Sequence, residues 1–281
     1  MSTPYLTILK YHGSKSRMVK NIIPLIPKDI EHFIEAFCGS AVVSLNVKNT
    51  SILLNDLDKN IYNFFRVLRN NEQRKELISI LDYTPYCQDT FNEAREAIKS
   101  DDKVKSAWGF MVRNEFSFGG MCKSYGDSGA YTRGGSGAFG DLLQCKKNNI
   151  NSSLFNNFIG NSQIYSKDAL EFISKYKDLP KIRRLFFYCD PPYPNTGQSG
   201  YKHKYTMDDF DRLLIVLSSI KNHKFLLSCF KNDIVEQYAN DNGWYSKSFK
   251  QVSGPESTCF KTEMLYANYP ITNDLFVNNG R

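Results

Sequence analysis

The strongest constraint on the fold is an apolar run, residues 185–189, that ends directly at Asp190-Pro191-Pro192-Tyr193. Such a run predicts a buried strand, and the two prolines fix φ and remove two backbone donors, so the turn after it is stiff. Open α/β sheets bind ligands at the carboxyl ends of their strands, where an acid beside a flat ring can grip a planar amine. An ordinary proline turn would account for Pro191-Pro192 alone, but not for the flanking Asp190 and Tyr193.

A β-turn-α-β unit is predicted near the start of the chain. Residues 32–37 indicate a buried strand, residues 38–40 a turn, residues 41–47 a helix and residues 51–54 a second strand, which ends at Asn55-Asp56. This order is typical of an α/β domain. An amphipathic helix that Pro24 can shorten or kink is predicted before it, over residues 14–26.

The rest of the chain divides into a second α/β part and an interruption. Between residues 119 and 140 lie eight of the 17 glycines, so this window is not expected to be helical. We predict a catalytic domain made of residues 1–70 and 155–281, with residues 71–154 inserted between its halves. Helices are predicted at 58–69, 72–81, 89–98, 103–113, 207–220 and 231–241, and further strands at 162–165, 184–189, 224–229, 244–251 and 261–269.

Composition narrows the cellular setting more than the activity. Lys and Arg number 36 against 29 Asp and Glu, a net charge of +7 that is compatible with a polyanionic partner. The seven cysteines are odd in number and form no Cys-x-x-Cys pair, so reduced thiols, a cytoplasmic protein and no metal site are expected. No signal-peptide core or membrane-length apolar window is present in the sequence, so no membrane partner is expected.

Phe37-Cys38-Gly39-Ser40-Ala41 follows the first predicted strand as a turn in which backbone amides can approach a ligand closely. A pyrophosphate needs more glycines than this single one, so a nicotinamide or flavin cofactor is disfavoured and a nucleoside without phosphates remains. Asp56, 17 residues after Gly39, stands where an acid accepts hydrogen bonds from ribose hydroxyls. A simple helix cap is an equally good interpretation of Asp56.

The ordered set of motifs resembles the Dam-like (D12 class) DNA adenine-N6 methyltransferases. The set comprises Lys10-Tyr11-His12-Gly13-Ser14-Lys15, residues 35–40, Asn55-Asp56, Asp190–Tyr193 and Lys261-Thr262-Glu263. Taken alone, the first of these segments would be interpreted as a solvated basic stretch. The resemblance implies an α/β class I S-adenosylmethionine-dependent methyltransferase fold, Rossmann-like, with a mixed, mostly parallel, seven-stranded sheet. It also implies an inserted helical and hairpin target-recognition domain.

The same resemblance implies a cofactor site for S-adenosylmethionine. Glu35, Phe37 and Gly39 would line its methionine end, Asp56 would take the ribose hydroxyls, and Asp168 would flank its adenine. The cofactor-binding residues implied are Tyr11, Lys15, Glu35, Phe37, Gly39, Asp56, Asp168 and Asp190.

The catalytic residues implied are Asp190, Pro191, Pro192 and Tyr193. An aromatic exocyclic amine is a poor nucleophile, so acceptors on its N–H groups, the Asp190 carboxylate and the Pro191 carbonyl, would draw its nitrogen toward tetrahedral geometry. Tyr193 would stack on the base, which must be flipped out of the duplex. No cysteine follows a proline, which disfavours cytosine-C5 chemistry. Methylation of RNA adenine-N6 or DNA cytosine-N4, or a catalytically inactive nucleic-acid-binding relative, stays open.

Double-stranded DNA is the expected partner, with the protein a monomer or weak homodimer in a restriction-modification or regulatory setting. A glycine-rich hairpin with basic and aromatic residues can enter a groove, although residues 124–137 also fit a disordered loop. Departures from the family pattern near Phe118 and Lys123 make recognition of GATC doubtful. The expected DNA-binding residues are Arg113, Asn114, Phe118, Lys123, Arg133, Lys202 and Lys204.

Overall fold

The computed structural model describes residues 5–117, 120, 122, 138–194, 204–252 and 260–271. Its centre is a seven-stranded sheet of order β3-β2-β1-β4-β5-β7-β6. Five neighbouring strands run parallel and β7 is antiparallel to both β5 and β6. The strands are β1 His32–Glu35, β2 Ser51–Asn55, β3 Ser162–Tyr165, β4 Leu185–Cys189, β5 Lys224–Phe230, β6 Tyr245–Val252 and β7 Phe260–Ala267. The mixed, mostly parallel, seven-stranded sheet implied by the resemblance is confirmed.

Strand order places the ligand site. The chain moves outward from β1 to β2 and β3 and then returns to β4 on the other side of β1, so the order reverses between β1 and β4. Such a switch point leaves a crevice beyond the carboxyl ends of the two strands. Glu35 ends β1, and Asp190 follows β4 directly.

Helices cover both faces of the sheet, which explains the continuous apolar runs. All five residues of β4 are buried, and alternate side chains enter different cores. Phe186 and Tyr188 pack in one core, and Phe187 and Cys189 pack in the other. The helices are α1 Val19–Ile22, α2 Lys59–Arg69, α3 Asn71–Asp82, α4 Gln88–Ala97, α5 Lys103–Glu115, α6 Ala138–Ile150, α7 Ser153–Gly160, α8 Ala169–Lys177, α9 Met207–Ser218 and α10 Asp233–Asn242.

The inserted helices share a core with one face of the sheet. Phe33 of β1 and Phe64 of α2 belong to the same hydrophobic cluster as Leu77 of α3, Phe91 of α4 and Phe110 of α5. The division at residues 71 and 154 therefore stays a prediction, drawn across a continuous core. Within the described part of the chain, no helix is long and apolar enough to cross a membrane.

One predicted helix is broken into shorter turns, and another is wrong. Residues 14–26 form short pieces, with 3-10 turns at Lys15–Arg17 and Ile23–Leu25 around the one-turn helix α1, and Pro24 lies in the last piece. Residues 41–47 hold only the 3-10 turn Ser44–Asn46, because Ala41 has a φ of 52°, outside the helical region.

Three helices were not predicted: α6, α7 and α8. α6 begins at Ala138, inside the glycine-rich window expected to be non-helical. Its buried residues Leu143, Lys147 and Ile150 recur at helical spacing, a signal that the glycine count obscured. α5 is capped by Asp102, whose side chain accepts from the backbone N–H groups of Val104 and Lys105.

Candidate active site

A cavity of about 450 Å³ lies at the carboxyl ends of β1, β2, β3 and β4. Its walls come from the segment before the 3-10 turn at Lys15, from the loops that follow these strands, and from the entry to α9. Of the residues predicted to bind cofactor or act in catalysis, the cavity is lined by Tyr11, Lys15, Glu35, Phe37, Gly39, Asp56, Asp168, Asp190 and Pro192.

Asn55, fully buried at the end of β2, fixes the loops after three strands. Its side-chain amide donates to the Ala36 carbonyl at 3.1 Å and to the Lys167 carbonyl at 3.0 Å. Its oxygen accepts from the Lys167 N–H at 3.0 Å. One amide therefore ties the ends of β1 and β3 to β2, and the cavity wall does not depend on loop packing alone.

Asp56 joins the Gly39 turn to the loop after β2. Its Oδ2 accepts from the Gly39 N–H and its Oδ1 from the Asp58 N–H, each at 2.9 Å. The cap of α2 is Asp58, whose side chain accepts from the Asn60 N–H, so the helix-cap interpretation of Asp56 is wrong. The ribose role of Asp56 stays a prediction.

Gly39 occupies a position that disfavours any side chain. Its φ is +47°, in the left-handed region. A Cβ there would lie 3.1 Å from two atoms of the Tyr11 ring. The glycine therefore lets the Tyr11 ring lie directly against the turn, which narrows the cavity on that side.

Three carboxyls with raised pKa values line the cavity, Glu35 buried and Asp56 and Asp190 partly buried. Burial raises the pKa of Glu35 to about 8, although Ser44 donates to its Oε2 from both its N–H and its hydroxyl. Burial likewise raises the pKa of Asp56 to about 6 and that of Asp190 to about 6. A cation in the cavity would stabilise all three carboxylates, so the cavity favours a positively charged ligand.

Asp190 is the centre of a buried polar cluster. Lys15, whose side chain is 8% exposed, places its Nζ 2.6 Å from Asp190 Oδ1 and 3.6 Å from Glu263 Oε1. The Tyr193 hydroxyl contacts the same two carboxylates, at 3.2 Å from Asp190 Oδ1 and in a short hydrogen bond to Glu263 Oε1. Ser228 donates to Glu263 Oε1 at 2.6 Å. We call Lys15, Asp190, Tyr193, Ser228 and Glu263 the Lys15 cluster.

Opposing effects set the charge of this cluster. Burial raises the pKa of Asp190, Lys15 lowers it and Glu263 raises it again. For Lys15, burial lowers the pKa, but the two carboxylates outweigh it and the net pKa is raised. Lys15 is therefore a permanent cation at neutral pH, and it is the group that lets Asp190 ionise there.

The basic stretch at residues 10–15 is not the solvated surface that its charges suggest by default. Lys10 Nζ donates to the backbone carbonyls of Glu115 and Ser117, and the Lys10 N–H donates to Glu115 Oε1 at 2.6 Å. Lys15 lies in its cluster at the other end. This stretch consequently links the end of α5 to the turn after β4.

Tyr193, Phe37 and Asp168, three of the predicted site residues, lie in three different surroundings. Tyr193 is anchored by its hydroxyl, with its ring centroid 4.3 Å from that of Phe230. Phe37 meets Tyr205 edge to face at 5.9 Å in the cavity wall. Asp168 caps α8 by accepting from the N–H groups of Leu170 and Glu171, while it also lines the cavity.

Arg113 and Asn114 lie inside the protein, which corrects their assignment as DNA contacts. The Arg113 guanidinium lies 3.8 Å from the Phe91 ring centroid and donates to the Cys122 carbonyl. Asn114 is fully buried and donates to the Phe110 carbonyl at 2.8 Å. Arg113 is buried against α4 and Asn114 against its own helix α5, so neither side chain is exposed for contact with a duplex.

The other DNA-binding predictions divide in two. Lys204 is exposed at the cavity rim. Phe118, Lys123, Arg133 and Lys202 lie outside the described residues. Their assignments stay predictions.

Sequence reasoning missed the roles of Glu263 and Ser228. Both are buried polar residues next to apolar runs, Ser228 after Leu226-Leu227 and Glu263 before Met264-Leu265-Tyr266. A buried carboxylate must be paired or hydrogen-bonded, so an acid directly before an apolar run was the available signal. Tyr205 and Arg212 in the cavity wall carried no such signal.

Comparisons with known proteins identify a family and several relatives. The D12 class N6 adenine-specific DNA methyltransferase family matches residues 11–252. Modification methylase StsI of Streptococcus sanguinis is 25% identical over 251 residues, covering 78% of this chain and 34% of that protein. Type II methyltransferase M1.LlaDCHI of Lactococcus lactis subsp. cremoris is 22% identical over 250 residues, covering 79% and 75%. DNA adenine methylase of Escherichia coli K12 is 24% identical over 188 residues, covering 66% and 64%. The chain thus spans about a third of the length of StsI.

Proposed function

The chain belongs to the D12 class of N6 adenine-specific DNA methyltransferases, and on that premise we propose that it methylates the exocyclic amine of an adenine in duplex DNA. The observation that carries the proposal is the state of Asp190. Its Oδ1 is held by Lys15 and Tyr193, while its Oδ2 has no hydrogen-bond partner among the described residues. A carboxylate oriented through one oxygen, at the edge of a cavity, is suited to accept from a substrate N–H through the other.

The cavity fits S-adenosylmethionine by its charge. That cofactor carries a sulfonium and an ammonium group, and Glu35, Asp56 and Asp190 supply three carboxyls whose ionisation a cation favours. We propose that Glu35 and Phe37 hold its methionine end, Asp56 its ribose and Asp168 its adenine side. When bound, the cofactor supplies an electrophilic methyl group.

The protein's part in the reaction is to orient the amine. We propose that Asp190 Oδ2 and the Pro191 carbonyl accept from the two N–H groups of the target amine, which draws its nitrogen toward tetrahedral geometry. With a pKa of about 6, Asp190 is about 90% ionised at pH 7, so its carboxylate is available as an acceptor. After transfer the methylated nitrogen becomes acidic, and its proton passes to Asp190 or to water.

Access to the amine requires the adenine to leave the duplex, at a cost of a few kcal/mol in lost pairing and stacking. Tyr193 is anchored by its hydroxyl, and we propose that its ring stacks on the extruded base. We propose that Lys204, exposed at the cavity rim, contacts a phosphate beside that base.

The test is product identification with an isosteric variant. Protein, labelled S-adenosylmethionine and unmethylated duplex DNA are incubated, in parallel with RNA, and digested nucleosides are identified by mass spectrometry. We expect N6-methyladenine in DNA from the wild type. We expect no transfer from Asp190→Asn, which keeps the side-chain volume and should still bind cofactor in calorimetry. Product on cytosine-N4 or in RNA alone, or a normal rate for Asp190→Asn, would refute the proposal.

A further inference from the structure

Glu263 is the most heavily used acceptor in the Lys15 cluster and takes no part in the reaction proposed above. It lies on β7, opposite Phe230 of β5, and is 3% exposed. Its Oε1 accepts from the hydroxyls of Tyr193 and Ser228, and Lys15 Nζ lies 3.6 Å from it. Three donors from three separate segments therefore converge on one oxygen.

This convergence decides which oxygen of Asp190 is occupied. Among the described residues, Lys15 and Tyr193 are the two groups whose donors reach the Asp190 carboxylate, and both contact Oδ1. Each of them also contacts Glu263 Oε1, which holds them on one side of the aspartate. Without that second acceptor, nothing in the cluster would stop either donor from moving to Oδ2.

We propose that Glu263 is a positioning residue, which holds Lys15 and Tyr193 on Oδ1 of Asp190 and so reserves Oδ2 for the target amine. This inference rests on the proposed function. It gives the antiparallel strand β7 a part in orienting a reacting group that belongs to β4, although Glu263 itself touches no substrate.

A second consequence concerns charge. Lys15 is shared between two carboxylates instead of neutralising one, and Glu263 accordingly raises the pKa of Asp190. A more basic carboxylate is a stronger hydrogen-bond acceptor, so sharing the lysine favours orientation of a weakly acidic amine. Among the described residues, the other ionisable groups that interact with Asp190 are Glu35 of β1, Tyr188 and Cys189 of β4, and Cys229 of β5, and burial raises the pKa of each.

A purely structural role for Glu263 makes a different prediction. If Glu263 only satisfied the buried hydroxyls of Ser228 and Tyr193, an amide oxygen at the same place would serve equally well. Glu263→Gln separates the two roles, because it keeps the volume and one acceptor oxygen but removes the charge that shares Lys15.

The experiment measures the pKa of Asp190, first directly by NMR and then through the pH dependence of methyl transfer. In the free protein, the side-chain carboxyl of ¹³C-labelled Asp190, assigned with Asp190→Asn, is titrated by NMR. Single-turnover methyl transfer is followed over the same pH range. In Glu263→Gln we expect the titration midpoint and the acid limb of the rate profile to move down by about one pH unit. The rate above pH 7 should fall by about tenfold, while cofactor affinity is retained.

A matched control is Asp82→Asn, which removes the carboxylate partner of another buried lysine, Lys147, away from the cavity. It should leave the Asp190 midpoint in place. If Glu263→Gln does not fold, Ser228→Ala removes one donor from Glu263 Oε1 and should move the midpoint up, since Glu263 then draws more on Lys15. An unchanged Asp190 midpoint in the folded variant would overturn the inference. A wild type that transfers no methyl group would overturn the proposed function instead, and the NMR titration would still judge the role of Glu263.

Discussion

Replacing Lys15 by methionine is the sharpest test of how the site keeps Asp190 ionised. Lys15 Nζ lies 2.6 Å from Asp190 Oδ1, and the two side chains are 8% and 16% exposed. The substitution keeps most of the side-chain volume and removes the positive charge. Asp190 and Glu263 then share a buried site with no cation between them.

The expected shift in the pKa of Asp190 follows from its ion pair with Lys15. Two charges 4 Å apart interact by about 4 kcal/mol at an effective dielectric constant near 20. Water can reach the small exposed part of Asp190, so we take roughly 3 kcal/mol, which corresponds to about two pH units. The pKa of Asp190 is about 6 in the wild type, and the acid limb of the rate profile should therefore move to near pH 8.

Single-turnover methyl transfer, measured from pH 5.5 to 9.5, would show the change. At pH 7 the ionised fraction of Asp190 should fall from about 90% to about 10%, so the rate falls by about ninefold and largely recovers by pH 9. Lys147→Met is the matched control, because Lys147 is 9% exposed and pairs with Asp82 away from the cavity. It should not move the acid limb. A Lys15→Met profile that keeps its wild-type position, or a loss that high pH does not relieve, would refute this reasoning.

Two further outcomes test the cavity wall. Gly39→Ala should lower the free energy of unfolding by about 1–2 kcal/mol, because the residue is left-handed, and should also weaken cofactor binding by pushing on Tyr11. Gly243→Ala is the control, because Gly243 has a φ of +65° and no atom within 4 Å of an added Cβ. It should lose the same free energy of unfolding in urea but keep its affinity for the cofactor in calorimetry. Equal cofactor affinities for the two variants would contradict the argument from Tyr11. The pKa values of Glu35 and Asp56 are raised on folding, so their stabilising contribution is complete below about pH 4 and is lost as pH rises through about 6 and about 8. The melting temperature of the free protein should therefore fall from pH 5 to pH 9. An amine-bearing analogue of S-adenosylmethionine should reduce that fall. A melting temperature that does not change with pH in the absence of ligand would count against the raised pKa values of Glu35 and Asp56.

Much of the fold could be predicted from the sequence because it follows local patterns. The run at residues 185–189 became β4, and the predicted strand at 162–165 became β3 without a change of bounds. Errors arose where backbone conformation departs from side-chain pattern. Residues 41–47 read as a helix, but Ala41 has a positive φ, and only a single 3-10 turn follows.

The burial of Arg113 and Asn114 was not foreseen, for a different physical reason. Arg113 and Asn114 are polar, and polar residues near a glycine-rich segment suggest a surface. Burial of Arg113 is made possible by the Phe91 ring and the Cys122 carbonyl. Both partners lie outside α5, so the helical periodicity of α5 does not predict them. Polarity alone does not say which side of a helix a residue occupies.

By itself the sequence determined that Glu35, Asp56 and Asp190 would meet at one edge, since each follows or ends a strand of a parallel sheet and such strands end together. Only the tertiary structure decided what surrounds Asp190. Lys15 lies 175 residues before it, and Glu263 arrives on an antiparallel strand after it. Pairing between charges so far apart leaves no periodicity in the chain. It exists because burial makes each unpaired charge costly, and folding places these groups where they can satisfy one another.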